Sequence, residues 1–175
     1  MGQYCLDAAL ARIQRASRKR RAAVLVCGNH PRQRTKLLRQ VAELHREAGR
    51  RVIALDAGGL SGPQFLDAIL AGLGNPGGPA LAPPPDFPVA DAPETFWRRI
   101  VARLAELRFL GRPITLLLEG VASADPAVPS WVARLLALPA TATPERFLLL
   151  SCSAEMVDTL SAPLPGRMDM RIDLE

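Results

Sequence analysis

Short runs of uninterrupted apolar residues alternate along this chain with longer stretches in which apolar positions recur every three or four residues. Ala22–Val26, Val52–Leu55, Ile114–Leu118 and Phe147–Leu150 are the short runs. Their length and aliphatic composition predict strands buried on both faces. A last segment, with Met170, Ile172 and Leu174 alternating with Arg171 and Asp173, predicts a strand exposed on one side. Helical spacing marks Leu6–Arg18, with Leu6, Ala9, Leu10 and Ile13 on one face. It also marks Thr35–Ala48, stopped by Gly49, and Gln64–Leu73. Asp91 and Glu94 have capping-box spacing ahead of a helix carrying Phe96, Ile100, Leu104 and Leu107 to about Leu110. Asp125–Pro126 opens another helix, and Ala154–Leu160 predicts a short one for which Ser153 is the expected cap.

Alternation of buried strands with helices is the pattern of a parallel sheet covered on both faces. The predicted fold is a three-layer α/β/α domain around a five-stranded, mainly parallel sheet. Ile114–Leu118 is expected to be central and to neighbour Ala22–Val26. Residues 1–175 read as one domain, with a basic N-terminal helix at 1–21 and a Pro/Gly-rich surface loop at 74–93. That loop holds seven of the sixteen prolines, which exclude both a helix interior and a central strand there. Ligands of such sheets bind beyond the carboxyl ends of the strands. Those ends are Gly28, Asp56, Glu119 and Ser151.

The formal charge is +5, and Arg12, Arg15, Arg18, Lys19, Arg20 and Arg21 concentrate it near the N-terminus. Such a segment can meet phosphates or acidic lipid headgroups; it also suits a solvated helix end whose cations favour the C-terminal dipole. We read it as the latter, with nucleic-acid binding only non-specific. No apolar run approaches the ~20 residues that span a bilayer. The basic cluster follows the apolar residues, the reverse of a secretory leader. Cys5, Cys27 and Cys152 lie far apart in the sequence without metal-ligand spacing, which argues for a reduced, cytoplasmic setting.

A phosphate-binding loop needs a strand, a glycine-rich turn and a helix whose N–H groups face the anion. Ala22–Cys27 supplies the strand, and Gly28, Asn29, His30, Pro31, Arg32, Gln33, Arg34 and Thr35 occupy the loop. Against G-x-x-x-x-G-K-[ST], Gly28 and Thr35 match, whereas Gln33 replaces the second glycine and Arg34 the lysine. Pro31 removes one N–H from the cradle. Glu119, ending a buried strand, is the carboxylate placed to hold Mg²⁺, and Gly120 after it offers nothing to orient water. An ordinary strand–helix turn and a strand-ending surface Glu account for the same residues. Ser151 or Ser153 is a candidate to polarise a phosphate-bound water. Arg167 is a candidate arginine finger acting on a neighbouring subunit. His30 and His45 are isolated and are assigned no chemistry.

In order along the chain, VLVCGNHPRQRTKLLRQVAEL, RRVIALDAGGLSGPQFLDAILAGLG, RPITLLLEGVASAD, FLLLSCSAEM and PGRMDMRIDLE resemble a degenerate AAA+ P-loop ATPase core. The resemblance is to the bacterial general secretion pathway ATPases (the ExeA-like family) and to related transposition helper ATPases. It implies ATP and Mg²⁺ at Gly28–Thr35, with Thr35 and Glu119 as magnesium ligands and Gly120 at the catalytic glutamate's position. It also implies a helical lid after the core, which this sequence lacks up to Glu175. The reading that follows is a catalytically inactive AAA+-like domain that binds a partner protein in a bacterial secretion or envelope-assembly machine. It would be peripheral at the inner membrane through that partner and able to form oligomers. The alternatives are a weakly active ATPase using Arg34, Thr35 and Glu119, and a DNA-associated helper of the transposition type.

Overall fold

A computed structural model describes residues 2–74, 93–161, 164 and 168–174. The elements run α1 (Gly2–Ser17), β1 (Arg21–Gly28), α2 (Pro31–Glu47), β2 (Arg51–Asp56), α3 (Gly62–Gly74) and α4 (Pro93–Phe109). They continue with β3 (Ile114–Glu119), α5 (Ala127–Ala137), β4 (Arg146–Cys152), α6 (Val157–Ser161) and β5 (Met170–Leu174). The five strands form one parallel sheet in the order β2-β3-β4-β1-β5. This order corrects one expectation. Phe147–Leu150, within β4, separates Ile114–Leu118 from Ala22–Val26, so β3 pairs with β2 and β4. Ile114–Leu118 is the most strand-like run in the sequence, but an apolar run does not specify its neighbours; the packing of the crossover helices assigns them.

Alternation within each strand divides the core in two. Ala23, Leu25, Leu116, Leu118, Leu148 and Leu150 face the layer of α3, α4, α5 and α6. Ala22, Val24, Val26, Leu117, Phe147 and Leu149 face α1 and α2. The inner strands β1, β3 and β4 are therefore buried on both faces. Val52–Leu55, expected to be so too, lies in the edge strand β2 and leaves Ala54 exposed. At the other edge, β5 exposes Arg171 and Asp173.

Arginines close the amino edge of the sheet. Arg146, only 4% exposed, donates from Nη1 to the Leu135 carbonyl and from Nη2 to the Leu136 carbonyl, 3.1 Å. Arg21 donates to the Leu138 carbonyl, and Arg51 and Arg103 both donate to the Leu73 carbonyl. Guanidinium groups thus satisfy the last carbonyls of α5 and α3, where the helix dipole favours cations. Burial, and then the neighbouring Arg21, lowers the Arg146 pKa to about 10.

The expected basic helix at 1–21 ends earlier. Helix α1 stops at Ser17, so Arg18, Lys19 and Arg20 form an exposed turn and Arg21 opens β1. Most of the Pro/Gly-rich stretch, with the expected cap Asp91, lies outside the described residues. Its flanks are Gly74, ending α3, and Pro93, opening α4.

Candidate functional site at the carboxyl edge of the sheet

Strand β1 ends at Gly28, and only Asn29 and His30 separate it from α2. The segment expected as an eight-residue loop is therefore half helix. Proline at the first helical position is well placed, because its missing N–H needs no partner there. The N–H groups of Gln33 and Arg34 both donate to the His30 carbonyl, at 3.0 and 3.2 Å. Two donors that a phosphate cradle would present are thus consumed internally, and a third is absent at Pro31. Thr35 lies exposed within the helix.

Arg34 points back over the strand ends. Its Nη1 donates to the Gly28 carbonyl. Its Nε lies 3.4 Å from Glu119 Oε1, an ion-pair distance without hydrogen-bond alignment. The two side chains are 11% and 24% exposed, so the pair is largely desolvated. Burial raises the Glu119 pKa, against the lowering pull of Arg34, and Asp56 raises it further. Asp56 and Glu119 are register partners at the ends of β2 and β3. Asp56 Oδ1 accepts the Gly58 N–H at 2.9 Å, which closes the turn after β2. Ser151, partnered with Glu119 in the β3–β4 register, is 1% exposed, and its hydroxyl finds no partner among the described residues.

Both glycines of interest have packing reasons to be glycine. A Cβ on Gly28 would sit 2.8 Å from Leu174 Cβ, so the residue lets β5 approach β1. Gly120 has φ 70°, and a Cβ there would stand 2.5 Å from Asp56 Oδ1 and 2.6 Å from the Gly58 nitrogen. A glutamate does not fit at that position.

The chain matches no protein-family description, and no curated protein matches it in sequence. Its fold does have solved counterparts. Cdc6p from Pyrobaculum aerophilum superposes with a TM-score of 0.68 at 15% identity, over 96% of this chain and 44% of that one. A chain of the Drosophila ORC bound to AT-rich DNA and Cdc6 gives 0.64 at 12% identity, over 98% of this chain and 29% of that one. The likeness is one of fold: a five-stranded parallel sheet between two layers of helices. The chain spans less than half the length of either counterpart.

The strand ends expected from the sequence meet in this fold, but their interactions differ from those expected. Gly28, Arg34, Glu119 and Ser151 converge at the carboxyl edge. Thr35, expected beside Glu119 as a magnesium ligand, is replaced there by Arg34. Among the described residues no three His, Cys, Asp or Glu side chains cluster to hold a metal. Arg167 lies outside the described residues. Ser153 occupies the N-cap position of the turn before α6 without a side-chain capping bond; its hydroxyl faces Glu155 Oε1 at 3.4 Å.

Two features of the fold have no counterpart among the residues expected from the sequence. Cys27 and Cys152, distant in sequence, are register partners on β1 and β4 with sulfurs 3.9 Å apart and no disulfide. The Cys152 thiol donates to Cys27, which lowers the Cys27 pKa and raises that of Cys152. The signal available was their shared position at the end of two parallel strands. Trp97 and Trp131 flank the Arg134 guanidinium at 4.6 and 4.5 Å from the ring centroids, while Glu94 binds it with both oxygens. That cluster ties α4 to α5.

Proposed function

We propose that this domain is an AAA+-like core that does not turn over ATP and acts by binding a partner protein. The reading rests chiefly on one observation: Arg34 links the Gly28 carbonyl to Glu119, the two positions that the motif order assigns to the phosphate loop and to the Mg²⁺ carboxylate. The early start of α2 and the packing of Gly120 support it. The residues present do not fit the nucleotide group, because accepting it would break the Arg34–Glu119 pair and unwind the first turn of α2. The setting proposed for this partner-binding role is a bacterial secretion or envelope-assembly machine, with self-assembly as part of the same proposal. This follows the motif order described above.

The test is calorimetry with ATP and Mg²⁺ at low salt, followed by phosphate release at high protein concentration. The expected result is no saturable binding and no turnover above background. The rival is a weak ATPase in which Arg34 leaves Glu119 for a phosphate. A micromolar dissociation constant, about −8 kcal/mol, or turnover abolished by Glu119→Gln would establish that rival. A second reading, a DNA-associated helper, draws on the counterpart in the Drosophila ORC structure bound to AT-rich DNA and on the basic turn Arg18–Arg20. DNA binding that survives ~200 mM salt would favour it, since purely phosphate-based affinity falls steeply over that range.

A further inference from the structure

The carboxyl edge of the sheet carries the candidate site, and the amino edge carries a surface of different character. Phe109 and Leu110 are the exposed large hydrophobic residues among those described, at 91% and 52%. They form the tip of the turn from α4 into β3, where Gly111 at φ 63° reverses the chain. Arg108 and Arg112 flank them, both exposed. The turn from α1 into β1 presents Arg18, Lys19 and Arg20, also exposed.

The two turns belong to one surface. The Ile114 N–H donates to the Glu145 carbonyl and the Arg146 N–H to the Arg20 carbonyl, each at 2.9 Å. The strand entries of β3, β4 and β1 are thereby joined side by side. The apolar tip and the basic turn thus reach the same edge, α4 delivering one from one face of the sheet and α1 the other from the opposite face, with the entry of β4 between them. The acids nearest by are already engaged: Glu145 lies 3.7 Å from Arg20, and Glu106 pairs with Arg103.

An apolar tip bracketed by cations complements one partner in particular. We propose that the amino edge docks on an anionic lipid bilayer, with Phe109 and Leu110 entering the interface and Arg18, Lys19, Arg20, Arg108 and Arg112 meeting headgroup phosphates. Aromatic and aliphatic side chains gain by leaving water at the headgroup level, and basic residues near an anionic surface gain electrostatically. A nucleic acid would meet the cations equally well and could stack a base on Phe109, but Leu110 beside it has no π-face to offer, whereas a bilayer takes up both side chains. This contact is direct and does not depend on the nucleotide reading. It would leave Glu119 and Arg34, at the opposite edge, turned toward the aqueous side.

The experiment is flotation of the full chain with phosphatidylcholine vesicles, alone or with phosphatidylserine, in the presence and absence of a single-stranded oligonucleotide. Binding is expected to the anionic vesicles only. Phe109→Ser with Leu110→Ser should weaken it roughly tenfold or more. Arg18→Gln with Arg20→Gln should weaken it by a similar factor, and more steeply at low salt. These positions are exposed, and unchanged circular dichroism and thermal midpoints would establish that the variants fold. No flotation with anionic vesicles would overturn the proposal. So would flotation indifferent to the Phe109/Leu110 change, or complete displacement by the oligonucleotide, which would assign the edge to nucleic acid.

Discussion

At Gly120 the chain turns left-handed directly after the carboxylate of Glu119, against the Asp56–Gly58 turn. In a hydrolytic site this is where a water-positioning carboxylate would stand. Gly120→Glu should therefore not restore activity. It is expected to lower stability by about 2–4 kcal/mol, from the left-handed backbone and the overlap with Asp56. Gly120→Ala should already show most of that loss. Denaturant unfolding reads the stability, and phosphate release reads the activity. Equal midpoints for Gly120→Glu and wild type would contradict the packing argument. At this scale the sequence showed the missing lysine, glycine and second carboxylate. It did not show that Arg34 turns inward to Glu119, because a side chain's direction follows from the element that carries it.

Elements were legible from periodicity, and their ends were legible where a local signal existed. Asp125 accepts the Ala127 N–H at 2.8 Å, as its place before Pro126 suggested. Helix α2 starts at Pro31, four residues ahead of the period that begins at Thr35: proline at the first helical position marks the start, while the polar first turn carries no apolar period. The arginines at the strand entries follow no pattern that marks them in the sequence, yet Arg21, Arg51 and Arg146 bond carbonyls at helix ends. Arg146→Leu would leave the Leu135 and Leu136 carbonyls without their guanidinium partner. The expected cost is about 2–4 kcal/mol, measured by chemical unfolding. Arg146→Lys should recover only part, since an ammonium lacks the planar fork that reaches both carbonyls. A neutral effect of Arg146→Leu would show that water serves these carbonyls equally well.

Across the whole molecule, α2 is locked to the sheet by a buried polar contact. His45, 5% exposed, lies with Nδ1 2.7 Å from Thr115 Oγ1 and its ring edge-on to Phe147. Burial, and then the Arg50 charge, lowers its pKa from 6.5 to about 4. The folded state thus binds fewer protons than the unfolded chain between these values. Stability is fully present above pH 6.5 and falls as pH drops toward about 4. The difference of about 2.5 pH units corresponds to about 3 kcal/mol. Glu119 acts in the opposite sense: its raised pKa means that stability is lost as pH rises above 4.5, so it does not produce a loss on acidification. Urea unfolding between pH 7 and pH 4 should show this decline, and His45→Gln should flatten it. An unchanged slope in His45→Gln would assign the decline to other groups.

The sequence by itself determined the class of this fold. Runs too apolar for any exposed face must be buried on both sides, and helical periods between them supply the cover, so a parallel three-layer sheet follows from hydrophobic pattern alone. It also pointed to the strand ends, because each apolar run gives way to polar residues or glycine: Gly28, Asp56 and Glu119 close β1, β2 and β3, and Ser151 stands one residue before the end of β4. Strand order was decided only in three dimensions, since four aliphatic runs carry no record of their neighbours. The Arg34–Glu119 pair, the Cys27–Cys152 contact and the joined turns of the amino edge were decided there too. Each arises where distant segments meet at the same level of the sheet, and register between strands fixes that level.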